Sequence, residues 1–252
     1  MNATVSAARM APSTAPRSGC TQCGFAAWAL PARLTPAESR HFDAQIIHCR
    51  RMRRNEYVHR AGATLVALNV INSGVVKSSV TGLEGHVQGM GFAMRGEMIG
   101  LDAIGAGIHQ CDTVALEDTH LCGIEFASFE RLMHDITSLQ HRFNQTLGAE
   151  ITRDHEVMFQ MGAMCADERV AIFLLNLSKR LAVRGYSAVQ FRLPMQRQEI
   201  ANYLGLKLET VSRSFGKLHA EHVICVDGKD IHIENAAELN RRTSHYNQRQ
   251  PA

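Results

Sequence analysis

Residues 195–233, "MQRQEIANYLGLKLETVSRSFGKLHAEHVICVDGKDIHI", decide the fold of the C-terminal part of the chain. Two helical stretches, 196–203 and 208–219, flank a tight turn at Leu204 to Lys207, and Asp227-Gly228 marks a hairpin between two short strands. A helix-turn-helix needs a small residue between its helices and apolar positions that lock their crossing. Gly205 supplies the first, and Ile200, Leu204, Leu206, Val211 and Leu218 supply the second. With the hairpin behind it, the unit reads as a winged helix-turn-helix. Helical periodicity leaves Glu209, Ser212, Arg213 and Lys217 on the face of the second helix that points away from the core. These side chains suit the major groove of double-stranded DNA. Arg can donate twice to guanine O6 and N7, Glu can accept from a cytosine amino group, and Ser can bond a base or a phosphate.

Upstream, "DERVAIFLLNLSKRLAVRG" (167–185) has an acidic first turn, a basic last turn and a terminal Gly, the start and stop signals of a helix that opens the second domain. Before it, Asn144, Leu147, Ile151, Asp154, Met158 and Met161 recur at spacings of 3, 4, 3, 4 and 3. That is the seam of a coiled coil, and it reads either as an amphipathic helix on its own domain or as one that pairs with its twin in a homodimer. Two-fold pairing would bring two Asp154 carboxylates together and make the association marginal; a solvated Asp on a monomeric helix explains the residue equally well. Residues 33 to about 125 are short apolar or alternating runs punctuated by Gly62, Gly74, Gly82, Gly85 and Gly100, the pattern of an antiparallel sandwich or jelly roll. The domain expectation is therefore a flexible tail over 1–19, a strand-rich sensor segment over 20–128, a dimerisation helix over 129–164 and the winged helix domain over 165–252.

Composition is that of a soluble globular protein, with 45% hydrophobic and 20% charged residues in 252. No run reaches the roughly 18 apolar residues a membrane helix needs, so no membrane partner is expected. The Ala-, Ser- and Pro-rich start lacks a secretory core, although it would also suit an organellar transit peptide. The formal charge of +3 is uneven. From residue 167 onward there are 13 Lys and Arg against 9 Asp and Glu, which gives +4 and leaves −1 before it, so the C-terminal third is the basic part, and its charge hints at a polyanion partner. Seven cysteines, an odd number without an export signal, argue against a disulfide scaffold and for a reducing cytoplasm. Cys165 and Cys225 read as buried small apolar residues. Cys20-x2-Cys23 is a dithiol or metal-ligand spacing. As an oxidoreductase dithiol it lacks the βαβ context such chemistry uses. No phosphate-binding glycine loop is present either, since Met94 stands where a third Gly after Gly89 and Gly91 is needed.

"NYLGLKLETVSRSFGKL", "ERVAIFLLNLSKRLAVRGYS", "GEMIGLDAIGAG" and "ALEDTHLC" resemble the CRP/FNR family of bacterial transcription regulators over about residues 20 to 240, and most of all its oxygen-sensing FNR branch. The resemblance implies an α+β fold: a cyclic-nucleotide-binding-type β jelly roll, a long dimerisation helix and a winged helix-turn-helix. It also implies a homodimer on an inverted repeat, contact with RNA polymerase, and no enzyme activity. Glu209, Ser212 and Arg213 match the FNR pattern, which implies half-sites similar to TTGAT paired with ATCAA. The cAMP branch holds its cyclic phosphate with an Arg-Ser pair after a Gly-Glu motif. Here Gly96-Glu97 is present but "HQCDTVALED" has no Arg-Ser, so no cyclic nucleotide is expected. The FNR branch binds a [4Fe–4S] cluster with a C-x2-C-x5-C run and one later Cys. Cys20, Cys23 and Cys122 match three of those positions, and Ala29 replaces the fourth. A cluster could persist with Cys111, Cys49, a His or a small molecule as fourth ligand. Otherwise the cluster is lost and the regulator works without one, as a thiol switch or with another metal such as zinc.

Overall fold

The computed structural model describes residues 24–29 and 32–243, so Cys20 and Cys23 lie outside the described residues. Two four-stranded antiparallel sheets face each other. One runs β1 (Ile46–Met52), β8 (Thr119–Glu125), β3 (Ala67–Ser73), β6 (Met98–Ile99); the other runs β2 (Tyr57–His59), β7 (Asp112–Ala115), β4 (Val75–Thr81), β5 (Val87–Met94). Met52, Val58, Ile71, Val76, Ile99, Ala115 and Leu121 fill the space between them. β3 is buried on both faces, which explains its unbroken apolar reading. Ile71 points into the sandwich, whereas Leu68 and Val70 point outward under helices α1 (Gly24–Ala29), α3 (Phe126–Asp135) and α4 (Thr137–Ala163).

The helix expected over 129–164 is divided. Ile136 takes an extended conformation (φ −123°, ψ 93°) with its side chain 3% exposed in the core, so α3 ends there and α4 starts anew. α1 is pinned to α4: Trp28 Nε1 donates to Thr146 Oγ1 at 2.9 Å, and Arg142 Nε donates to the Trp28 carbonyl at 2.9 Å.

The C-terminal half follows the expected order: α5 (Ala166–Val183), β9 (Gln190–Arg192), α6 (Arg197–Leu204), α7 (Leu208–Ala220), β10 (Ile224–Asp227), β11 (Asp230–Ile233) and α8 (Ala236–Arg241). Gly205 ends α6 at φ +62°, a left-handed conformation that a side chain would strain. Cys165 is not buried as its residue type suggests. It stands exposed at the start of α5, where its sulfur accepts from the Glu168 N–H and the Glu168 carboxylate accepts from its own N–H. Cys225, on the wing, is only half-buried.

Candidate nucleic-acid interface and thiol centre

α7 divides cleanly into two faces. Val211, Ser214, Phe215 and Leu218 are buried, and Glu209, Ser212, Arg213 and Lys217 are exposed on the opposite side. Among the described residues Glu209, Ser212 and Arg213 form no ion pair or side-chain hydrogen bond. Lys217 differs, because its Nζ meets Asp167 Oδ2 at 2.6 Å while Ser214 Oγ donates to Asp167 Oδ1 at 2.6 Å. These two partners hold the Asp167 carboxyl below its usual range and tie α7 to the start of α5. The exposed trio is thus presented by a helix that is fixed from behind.

Three arrangements join the winged helix half to the rest of the chain. Glu97 is buried among Arg180 at 2.6 Å, Arg184 at 2.5 Å and Arg153 at 3.9 Å. Burial alone would raise its carboxyl, but Arg180 and Arg184 outweigh that and hold it ionised, below the usual carboxylate range. The Gly96-Glu97 pair therefore serves an internal ion-pair network, which local sequence cannot show. Arg169 donates to the carbonyls of Met161 at 2.6 Å, Met164 at 3.0 Å and Leu204 at 3.0 Å, clamping the ends of α4 and α6 together. α6 also lies directly on β5. Lys77 Nζ reaches Glu199 at 2.8 Å, and a Cβ on Gly89 would sit 2.9 Å from the Tyr203 Cα. Gly89 is a close-packing residue, not part of a phosphate loop.

Among the described residues one pair of thiols is in contact. Cys122 is buried on β8, and Cys49, directly opposite on β1, brings its Sγ to 3.4 Å. Ala29 is also buried, 5% exposed in the core that contains Cys122, Trp28 and Phe25, so the position that carries a thiol in the FNR branch carries a methyl packed against the same sheet. Cys111 precedes β7 in the other sheet, and burial followed by Asp102 and Asp112 pushes its thiol up to about 11. Thiolates are the donors an iron–sulfur cluster takes, and the described residues offer an adjacent pair of them on β1 and β8. Sequence reading named Cys49 only as one alternative among several. The segment without Arg-Ser holds something else that sequence reading missed: His109 stacks on His59 with ring centroids 3.6 Å apart, and His109 Nδ1 faces Asp102 at 3.3 Å.

The comparisons agree with this architecture. Residues 168–242 match the Crp-like helix-turn-helix domain, and residues 49–135 match the cyclic nucleotide-binding domain. The transcriptional activator protein Anr of Pseudomonas aeruginosa is 34% identical over 224 residues, covering 89% of this chain and 92% of that protein. The chain belongs to the CRP/FNR family. The fumarate and nitrate reduction regulatory protein of Escherichia coli K12 is likewise 34% identical, over 90% of each chain. Among solved structures, FixK2 of Bradyrhizobium japonicum superposes with a TM-score of 0.71 at 28% identity, covering 77% of this chain and 96% of that one. A CRP/FNR-family regulator from Eubacterium rectale, at TM-score 0.64 and 19% identity, covers 87% of this chain and 99% of that one and shares the fold. This CRP/FNR protein is a DNA-binding transcription regulator and not an enzyme; nothing supports the dithiol oxidoreductase reading of Cys20 and Cys23. No described helix is long and apolar enough to cross a membrane.

Proposed function

We propose that this CRP/FNR regulator acts in the cytoplasm as a homodimer on a TTGAT-like inverted repeat, recruits or obstructs RNA polymerase there, and responds to oxygen or redox state. The observation that carries the DNA reading is the exposed, unpaired trio Glu209, Ser212 and Arg213 on one face of α7. In this reading the trio meets base edges, and Lys217, already neutralised by Asp167, lies beside the backbone. Support for the dimer comes from α4. Ile151 and Met158 are 56% and 68% exposed on the seam, with Asp154 exposed between them, Leu147 packed at the core and Met161 touching the turn at Gly205. Apolar side chains left out on a helix stripe are what a second copy covers.

The redox reading rests on thiolate chemistry at Cys20, Cys23 and Cys122. A [4Fe–4S] cluster held there would supply an oxygen-labile group whose loss changes the local structure. The chain's own route from that region to the seam is Trp28, which is hydrogen-bonded to Thr146 and contacted by Arg142 on α4. Fluorescence anisotropy with a duplex carrying TTGAT and ATCAA half-sites about one helical turn apart tests the function. Tight binding to that duplex, weakened when the guanine pair is changed, is expected; equal binding to both duplexes would overturn the reading.

A further inference from the structure

His59, Asp102 and His109 each bring one donor atom to within 4.8 Å of the other two, the only such trio of His, Cys, Asp or Glu donors among the described residues. Three separate segments meet there. His59 ends β2, whose pairing with β7 slips by one residue between Tyr57 and His59, so His59 falls opposite Thr113 and not Asp112. Asp102 stands in a single 3₁₀ turn, Leu101–Ala103, and His109 follows in the loop that leads to β7. Backbone bonds zip the chain after β2 to that loop. The Gly62 N–H donates to the His109 carbonyl, the His109 N–H to the Ala63 carbonyl and the Leu65 N–H to the Gly107 carbonyl, each at 2.8 Å.

The donors are held as ligands are held. Asp102 Oδ2 accepts from the N–H groups of Gln110 at 2.8 Å and Cys111 at 3.1 Å, and its Oδ1 faces His109 Nδ1 at 3.3 Å. Two ligands of a tetrahedral ion with bonds of about 2.0–2.2 Å lie about 3.4 Å apart, so this pair already has the spacing of two ligands. Closing the set falls to His59. His109 is 5% exposed and fixed at both of its backbone groups, whereas His59 is half-buried, and its buried Nε2 makes no hydrogen bond among the described residues. A nitrogen without a partner gives up nothing by turning toward an ion. The two rings stack 3.6 Å apart and within 8° of parallel, so an ion bound by both must spread them, exchanging the stack for metal–nitrogen bonds. The Asp102 side chain keeps 23% of its surface exposed, which gives the trio a solvent edge.

The donor chemistry selects the ligand. Two neutral imidazoles and one carboxylate carry a charge of −1 toward a cation. Magnesium and calcium take oxygen ligands, whereas a set of two nitrogens and one oxygen suits zinc, iron(II) and their neighbours. We infer that His59, Asp102 and His109 form a binding site for a divalent transition-metal ion of that class, with water or an outside ligand in the remaining positions. The ion fastens β2 to the segment between β6 and β7. The site uses none of the cysteines and goes beyond the oxygen or redox reading without depending on it.

Cobalt(II) is the probe, titrated into chelator-stripped full-length protein carrying Cys20→Ser and Cys23→Ser, which removes the dithiol as a competing site. One Co2+ per chain is expected, with visible d–d bands and no sulfur-to-cobalt charge transfer. In the same background His59→Phe, which keeps a ring on His109, and Asp102→Asn should each weaken binding at least about tenfold, since even groups that only hold a ligand in place are worth 10–100-fold. Circular dichroism reports whether each variant folds. A measurement that leaves the trio intact keeps the test decisive if one does not: of the thirteen histidines, the ring signals of His59 and His109 should broaden first as Co2+ is added. Unchanged affinity in either folded variant, earlier broadening of other histidines, or no Co2+ binding at all would overturn the site. Anisotropy with the TTGAT duplex on the same proteins reports separately on the regulator reading.

Discussion

The recognition face and the thiol centre belong to one molecule but are built in opposite ways. Glu209, Ser212 and Arg213 come from five consecutive positions of α7, and the buried Val211, Phe215 and Leu218 that orient them come from the same helix. The described thiol pair, Cys49 and Cys122, comes from β1 and β8, and its proximity depends on strand pairing across 73 positions. A site built within one helix survives sequence drift elsewhere, because its geometry is local. A contact made across a sheet depends instead on the register of distant strands.

The linkage between the two regions offers the largest expected effect. Glu97→Ala leaves Arg180 and Arg184 packed together without their carboxylate. Removing one partner of a buried ion-pair network costs about 3–5 kcal/mol, so chemical denaturation should shift to a clearly lower midpoint. If the network is what couples the halves, the unfolding transition also separates into two steps. An unchanged, single transition would show that the contact of α6 with β5 and the Arg169 clamp suffice.

Next comes the recognition face itself. Arg213→Ala should remove about 1–3 kcal/mol of preference for the guanine-containing half-site, read as the ratio of dissociation constants for matched and mismatched duplexes. Arg213 is exposed and unpaired, so thermal stability should be retained. A retained ratio with weakened overall binding would instead make Arg213 a phosphate contact and shift base reading to Glu209 and Ser212.

How legible each region was in the sequence follows from the same contrast. Gly205, the capping signals of α5 and the hairpin at Asp227-Gly228 are local, and the winged helix half formed at the expected positions within one or two residues. The two-sheet sandwich was legible from strand length and glycine spacing. The break at Ile136 was not, because it depends on that side chain being drawn into a core formed by distant strands. Glu97 resembled part of a phosphate motif only until its arginines, more than fifty positions downstream, were placed around it. The contact of Cys49 with Cys122 was not legible either, because it depends on the register shift in β1, which leaves no mark in composition or periodicity. Cys165 misled because residue-type burial ignores its place at the start of a helix.

The histidine pair sharpens the view of the jelly roll as a region with its own chemistry. Burial, then the neighbouring His109 ring, lowers the His59 pKa to about 4, and among the described residues its buried Nε2 has no hydrogen-bond partner. In the unfolded chain the same ring titrates near its ordinary value of about 6.5. Above that pH both states carry neutral His59 and it contributes no pH dependence. As pH falls from about 6.5 toward 4 the unfolded state takes up the proton first, so stability declines across this window. At about 1.36 kcal/mol per pH unit, reduced because the ring is partly exposed, the loss is on the order of 1–2 kcal/mol. Melting temperatures from pH 7 to 4 should show it, and His59→Phe, which keeps the stack on His109, should flatten that part of the curve. An identical slope in the variant would assign the decline to other groups.

The smallest effect concerns the seam on α4. Asp154 is exposed between Ile151 and Met158, and in a two-fold dimer the carboxylate would meet its own copy. Each exposed like-charge contact costs only a few tenths of a kcal/mol to about 1 kcal/mol, so Asp154→Ala should tighten self-association by roughly two- to fivefold. Light scattering across a dilution series reads this directly. High salt should narrow the difference between variant and wild type, because screening weakens the repulsion in the wild type and leaves the alanine variant unaffected. If the variant tightens the dimer equally at low and high salt, its gain comes from helix propensity or packing. The seam would then be held by Ile151 and Met158 without an electrostatic brake, and any control of dimerisation would have to enter through the Trp28 contacts at the other end of α4.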